Sequence, residues 1–181
     1  MANHNRRRNI SSSSIASEKK MMNEKNKRFL IALIIAFVVV GIIAYWDVLS
    51  MQSGVLGSPY DYMNGNFTKG WATLFYSFAD FLMILVPVCY FFFYRRDFSE
   101  AIAIFLTEKI LLLTGTADVL FFWLQGQNIP LVLPWLTNHI TIGKVTSLLG
   151  YAEANPISLL ITAAMGILLA YGLAWILKEK F

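Results

Sequence analysis

Phe29 to Leu49, FLIALIIAFVVVGIIAYWDVL, carries no charged side chain before Asp47. A helix rising 1.5 Å per residue crosses a hydrocarbon layer of about 30 Å with about 20 such residues, so the stretch reads as a membrane span. Residues 1–28, ahead of it, hold Arg6, Arg7, Arg8, Lys19, Lys20, Lys25, Lys27 and Arg28, eight of the chain's fifteen basic side chains. With Asn, the run Ser11 to Ser14 and almost no branched or aromatic residues, this tail lacks the apolar surface that offsets ordering entropy. It is expected to be a disordered cytoplasmic tail that meets anionic lipid headgroups. Tyr45-Trp46-Asp47 stands where a signal peptidase needs small residues, so the first span reads as an uncleaved anchor.

Composition agrees with a membrane solvent. The 181-residue chain is 57% hydrophobic and 14% charged, whereas a soluble domain carries about a quarter charged residues. The net charge of +4 belongs mostly to the tail and does not describe a nucleic-acid groove. Cys89 is the only cysteine, which excludes an internal disulfide and a cysteine metal site, and His4 and His139 are the only histidines. No metal site is expected, and no cofactor is indicated.

Three further segments have the length and apolarity of a span: residues 70–94, 98–124 and 156–177. Only Arg95-Arg96-Asp97 separates the second from the third, which forces antiparallel neighbours. Asn155-Pro156 opens the fourth, pairing an N-cap residue with a proline whose missing N–H is harmless at the first helical position. Pro87 removes a bond to the Met83 carbonyl and should bend the second span. The expected fold is an all-α integral membrane protein, a four-transmembrane-helix bundle.

Lysine and arginine are retained on the cytoplasmic side. Four spans with the N-terminus inside place the tail, Arg95, Arg96, Lys178 and Lys180 there, against Lys69 and Lys144 outside. The expected location is the cell membrane with both termini cytoplasmic. Trp46, Trp71 and Trp123 then fall near the outer boundary and Trp175 near the inner one. Residues 129–150, interrupted by Pro130, Pro134, Asn138, His139, Gly143 and Lys144, are expected as an outer-face interfacial or re-entrant segment. The alternative is a fifth span, which would move Lys178 and Lys180 outside. The loop of residues 50–69 reads as irregular, with turns at Gly57-Ser58-Pro59 and Asn64-Gly65.

Ionisable groups in hydrocarbon cost at least about 2.5 kcal/mol each at the centre on insertion scales, so each needs an explanation. Asp80, Glu108 and Lys109 all lie about 15 Å inside their spans, forming an intramembrane charge site. Asp80 and Lys109 are expected to pair across the second and third spans. The pair either fixes helix register or, with Glu108 as the titrating group, serves a proton or cation relay. At 100° per residue Thr107, Thr114, Asp118 and Gln125 form one polar stripe on the third span, pointing into the bundle or a wet cavity. Thr162, Gly166, Ala170 and Ala174 form a stripe of small residues on the fourth, a surface for close helix approach within the chain or to another membrane protein.

At the outer boundary Asp118, His139 and Glu153 are the candidate catalytic group, one imidazole and two carboxyls that could divide acid and base roles. The run Ala117-Asp118-Val119-Leu120-Phe121-Phe122 resembles an acidic-Leu-Phe-Phe run of small membrane-embedded carotenoid cyclases. It lacks the proline and paired glutamates that precede the aromatic pair there, and no activity is carried over from it. The expected function is a noncatalytic accessory or scaffold subunit of a membrane assembly. The alternatives are a membrane-embedded enzyme acting on lipid or isoprenoid material at the outer leaflet, and a small transporter or channel with a midplane Asp/Glu/Lys site.

Overall fold

The computed structural model describes the backbone of residues 2–52 and 69–180 and the side chains of residues 19–50 and 77–177. The loop turns at residues 57–59 and 64–65, and the side chains of Trp71, Lys178 and Lys180, lie outside the described residues. Every regular element described is helical. Helix α1 is Ala2–Gln52 and α2 is Lys69–Cys89, continued by a π-helical stretch, Tyr90–Arg95. After a two-residue turn come α3, Phe98–Leu113, and α4, Thr116–Leu124. A 3-10 turn at Pro134–Leu136 and a short α5, Ile142–Leu148, lead to α6, Pro156–Lys180.

Three stretches are long and apolar enough to cross a membrane, as those of an integral membrane protein are: Lys19–Ser50, Ser77–Arg95 and Pro156–Leu177. The basic tail, expected as disordered chain, continues α1 as helix from Ala2. Its last part, with Ala16, Glu18, Lys19, Lys20, Met21 and Met22, consists of good helix formers.

The third expected span is not one continuous helix. Thr114 ends α3, and Gly115, at φ 78°, starts α4. That left-handed conformation suits glycine. A Cβ on Gly115 would also stand 2.6 Å from Leu159 Cδ1 and 2.8 Å from Ile142 Cδ1, so a side chain there would have to displace both.

Helix α3 is the centre of the bundle, packed against α1, α2 and α6. On α1, Phe29, Ala32, Ala36, Val39, Val40, Ile43, Ala44 and Val48 are buried, at the three- and four-residue spacing of one helix face. Ala32 and Ala36 meet Ile104 and Tyr90; Val40 and Ala44 meet Leu111, Ala117 and Ala170. The opposite face of α1 exposes Leu30, Ile34, Val38 and Ile42.

Helix ends are closed locally. Asp97 Oδ1 accepts from the Ser99 and Glu100 backbone N–H groups, at 3.0 and 3.3 Å, and from the Ser99 hydroxyl at 2.7 Å. Asn155 Oδ1 accepts from Ser158 N at 3.0 Å while Ser158 Oγ accepts from Asn155 N at 3.1 Å, a reciprocal cap on α6. Residues 129–155 fold over one end of the bundle. Leu133, Leu136, Ile142 and Ala154 share a core with Val48 of α1, Phe121 and Phe122 of α4 and Leu159 of α6. The strap is tied by Leu133 N to Ala154 O at 2.8 Å and Ala154 N to Thr137 Oγ1 at 3.1 Å.

Candidate functional site

Residues 108 and 109 are adjacent but face different surroundings, because successive helical residues are about 100° apart. Lys109 points outward and its Nζ lies 2.6 Å from Asp80 Oδ1, an ion pair across the α2–α3 seam. The side chains are 35% and 57% exposed, so the pair lies on the outside of the bundle. Lys109 Nζ also stands 5.8 Å from the centre of the Phe105 ring. Glu108 is fully buried, and neither carboxyl oxygen has a hydrogen-bond partner among the described residues. Three groups expected in one intramembrane site are thus an outward pair and a separate inward acid.

The polar stripe divides at the Thr114–Gly115 break. A helical wheel carried through residues 107–125 assumes unbroken helix, and the left-handed Gly115 resets the direction of the chain. Thr107 in α3 and Thr114 at its C-terminal cap are buried, whereas Asp118 and Gln125 are half-buried on or beside α4. Thr114 Oγ1 donates to the Ile110 carbonyl at 2.8 Å.

The stripe of small residues on α6 receives this face. A Cβ on Gly166 would collide with the Thr114 side chain. Ala170 packs with Val40, Ala44, Leu111 and Ala117, and Ala174 with Phe29 and Ala103. Thr162 is buried and donates to the Ser158 and Leu159 carbonyls, each at 2.9 Å. Gly166, Ala170 and Ala174 thus pack within the chain, against α1, α3 and α4.

The three candidate residues of the outer end each have their own surroundings. Asp118 lies in the first turn of α4, where a carboxylate complements the helix dipole, and the Trp135 indole interacts with it. Trp135 is also 6.4 Å from Phe122, ring centre to ring centre. The His139 ring bonds elsewhere: Nδ1 is 3.1 Å from Thr141 Oγ1. Burial lowers the His139 pKa from its ordinary value and so favours the neutral ring. Glu153 is exposed. Among the described residues no group of three or more His, Cys, Asp or Glu side chains is arranged to hold a metal ion.

Three polar contacts follow from no periodic pattern. The Thr141 hydroxyl donates to the Leu113 carbonyl, one of the acceptors released where α3 breaks. The Tyr90 hydroxyl donates to Glu100 Oε2 at 2.5 Å inside the bundle. Glu100 stands three residues after the cap Asp97, the spacing of a capping box, so its presence at a helix start was legible, although its bond to Tyr90 was not. The positive charge of Arg28 on α1 acts on Asp97 in the α2–α3 turn. Burial pushes the Asp97 carboxyl up, but the bonds from Ser99 and Glu100 and the Arg28 charge outweigh it and hold the group below its ordinary value.

No family model, no curated protein and no solved structure matches the chain.

Proposed function

We propose that this chain is a noncatalytic accessory or scaffold subunit of a membrane assembly. The observation that carries the reading is the Asp80–Lys109 pair, outward-facing and part-exposed. Lys109 stands eleven residues beyond Phe98, about 16 Å along the helix, within a hydrocarbon layer of about 30 Å. Acyl chains satisfy neither charge, whereas a protein surface can. Two of the three side chains expected to do chemistry near the outer end have structural partners: His139 bonds to Thr141, and Asp118 interacts with the Trp135 indole.

In this reading α3 and α4 together make the third of four spans, with residues 129–155 as an outer cap. The Thr141 bond to the Leu113 carbonyl supports it, since backbone freed at membrane depth needs a partner from protein. Arg28, Arg95 and Arg96 gathered at one end of the bundle support cytoplasmic termini in a cell membrane. Purification from native membranes in a mild detergent is the test. A stoichiometric set of polypeptides, this chain or others, is expected; a lone chain holding a small molecule would move the assignment to an enzyme.

A second reading, a small transporter, has Glu108 in its favour: a buried acid without a hydrogen-bond partner is the group a proton or cation relay uses. Glu108→Gln in reconstituted vesicles distinguishes the two. The scaffold reading expects no change in proton or sodium flux, and the transporter reading expects its loss.

A further inference from the structure

The Asp80–Lys109 pair sits at one end of a continuous strip along the α2–α3 seam. On α2, residues 80, 84, 87 and 88 share a face, which Phe91 of the π-helical stretch continues, and on α3 residues 98, 102, 105 and 109 do so. Below the ion pair the seam opens into an apolar groove of about 420 Å³ whose walls include Ile84, Pro87, Phe91, Ile102 and Phe105. Phe92 and Phe98, at the rim, are 62% and 69% exposed. One strip therefore carries projecting aromatic rings, a recess of side-chain size, and one positive and one negative charge side by side.

A surface with both members of each complementary pair can bind a copy of itself. Rotation about a two-fold axis along the membrane normal keeps every residue at its own depth and apposes like with like only on the axis. Two Asp80–Lys109 pairs meeting beside such an axis form a ring in which each charge touches two of opposite sign. Rings from each copy enter the other's groove below. A heterologous partner would need its own acid, base and aromatic rim at matching depths, whereas a second copy has them there already.

We infer that the α2–α3 seam is a homodimer interface, closed by a four-charge ring of Asp80 and Lys109 from both copies. The inference rests on the subunit reading above and names its partner. It accounts for the half-exposed charges at hydrocarbon depth, which the dimer removes from lipid, and for the aromatic rim at the inner end of the seam.

The test uses the full chain in native membranes, carrying two different tags. Asp80→Lys leaves a seam with two positive charges, and Lys109→Asp leaves one with two negative charges. Each variant should lose co-purification with itself by at least about tenfold through like-charge repulsion, and the two variants should co-purify with each other. Equal recovery in mixed and unmixed combinations overturns the inference. A second arm guards against variants that fail to fold: Ile84→Cys in a Cys89→Ala background, with a bismaleimide crosslinker, keeps the charges intact. A band at twice the 20.5 kDa chain mass is expected, and Leu168→Cys, on the exposed face of α6, should give none. Crosslinking of residue 84 to a different polypeptide overturns the homodimer but leaves the subunit reading standing. A monomer band alone, with no co-purifying protein, overturns both.

Discussion

The Thr114 side chain fills the space that a Cβ on Gly166 would need. Thr114 is held there by its hydroxyl, bonded to the Ile110 carbonyl at 2.8 Å, and by burial on the α6 side of α3. Gly166→Ala forces an added methyl against a side chain with little freedom to move, and overpacking of this kind costs about 1–3 kcal/mol. Thermal unfolding in detergent should show that loss. Gly166→Ala with Thr114→Ala should recover part of it, because the second change vacates the space. Strictly additive losses would show that the two residues do not share a contact.

For the ion pair, in the four-span reading Asp80→Ala leaves Lys109 as an unmatched cation at hydrocarbon depth. A central lysine costs about 2.5–3.5 kcal/mol on insertion scales, and a comparable loss is expected, reduced to the extent that Lys109 reaches water or a headgroup. Asp80→Ala with Lys109→Ala should be more stable than Asp80→Ala alone. A double-mutant cycle on the reconstituted protein measures this. Coupling indistinguishable from zero would mean that the 2.6 Å contact contributes nothing in the bilayer.

What the sequence made legible was whatever depends on a single helix. The spans at residues 29–49 and 156–177 follow from apolar length, and the Asn155 cap from local chemistry. The Asp80–Lys109 contact was accessible because a turn of three residues fixes two antiparallel neighbours. The break at Thr114–Gly115 was missed because a helical wheel has no way to register a change of axis. The signal was Gly115 between two threonines, set against an apolar background that masks it. The division of Asp118 from Thr107 and Thr114 followed from that miss. The Tyr90–Glu100 and Thr141–Leu113 bonds join elements whose relative placement only three-dimensional packing decides.

Orientation is open to a chemical test. Single cysteines placed in the tail at Ser12, beside Asp97 and after Lys180, in a chain without Cys89, should resist an impermeant maleimide added outside intact cells. A cysteine at Asn64 should react. Labelling after Lys180 from outside would reject four spans and restore the fifth-span alternative for residues 129–150.

His139 gives the cap a pH dependence whose sign follows from its environment. Burial lowers its pKa below the ordinary value of about 6.5, so on acidification the unfolded chain takes up a proton before the folded one. The stabilisation is complete above about pH 6.5 and is lost as pH falls below it, until the folded state also protonates. Melting temperatures at roughly pH 7.5 and pH 5.5 should therefore fall with acid in the natural protein. His139→Gln retains a polar partner for Thr141 and should flatten that fall. An undiminished acid response in the variant would assign the effect to other groups.

Asp118 separates a structural cap from a reactive one. In the subunit reading its carboxylate completes the first turn of α4 and interacts with Trp135. Asp118→Asn keeps the size and one acceptor oxygen but removes the charge and the proton-accepting group. A carboxylate at a partly buried helix N-terminus contributes up to about 2 kcal/mol, so a loss of about 1–2 kcal/mol is expected, with the same lipids and small molecules bound as in the natural protein. An enzyme working on lipid or isoprenoid material through Asp118 would respond in the opposite pattern, with folding preserved and a bound small molecule gone, because the acid rather than its shape would hold the ligand. Mass spectrometry of the small molecules co-purifying with each form, beside their melting temperatures, gives both readouts from one preparation. A bound species present in the natural protein and absent from Asp118→Asn, at equal stability, would transfer the assignment from scaffold to enzyme.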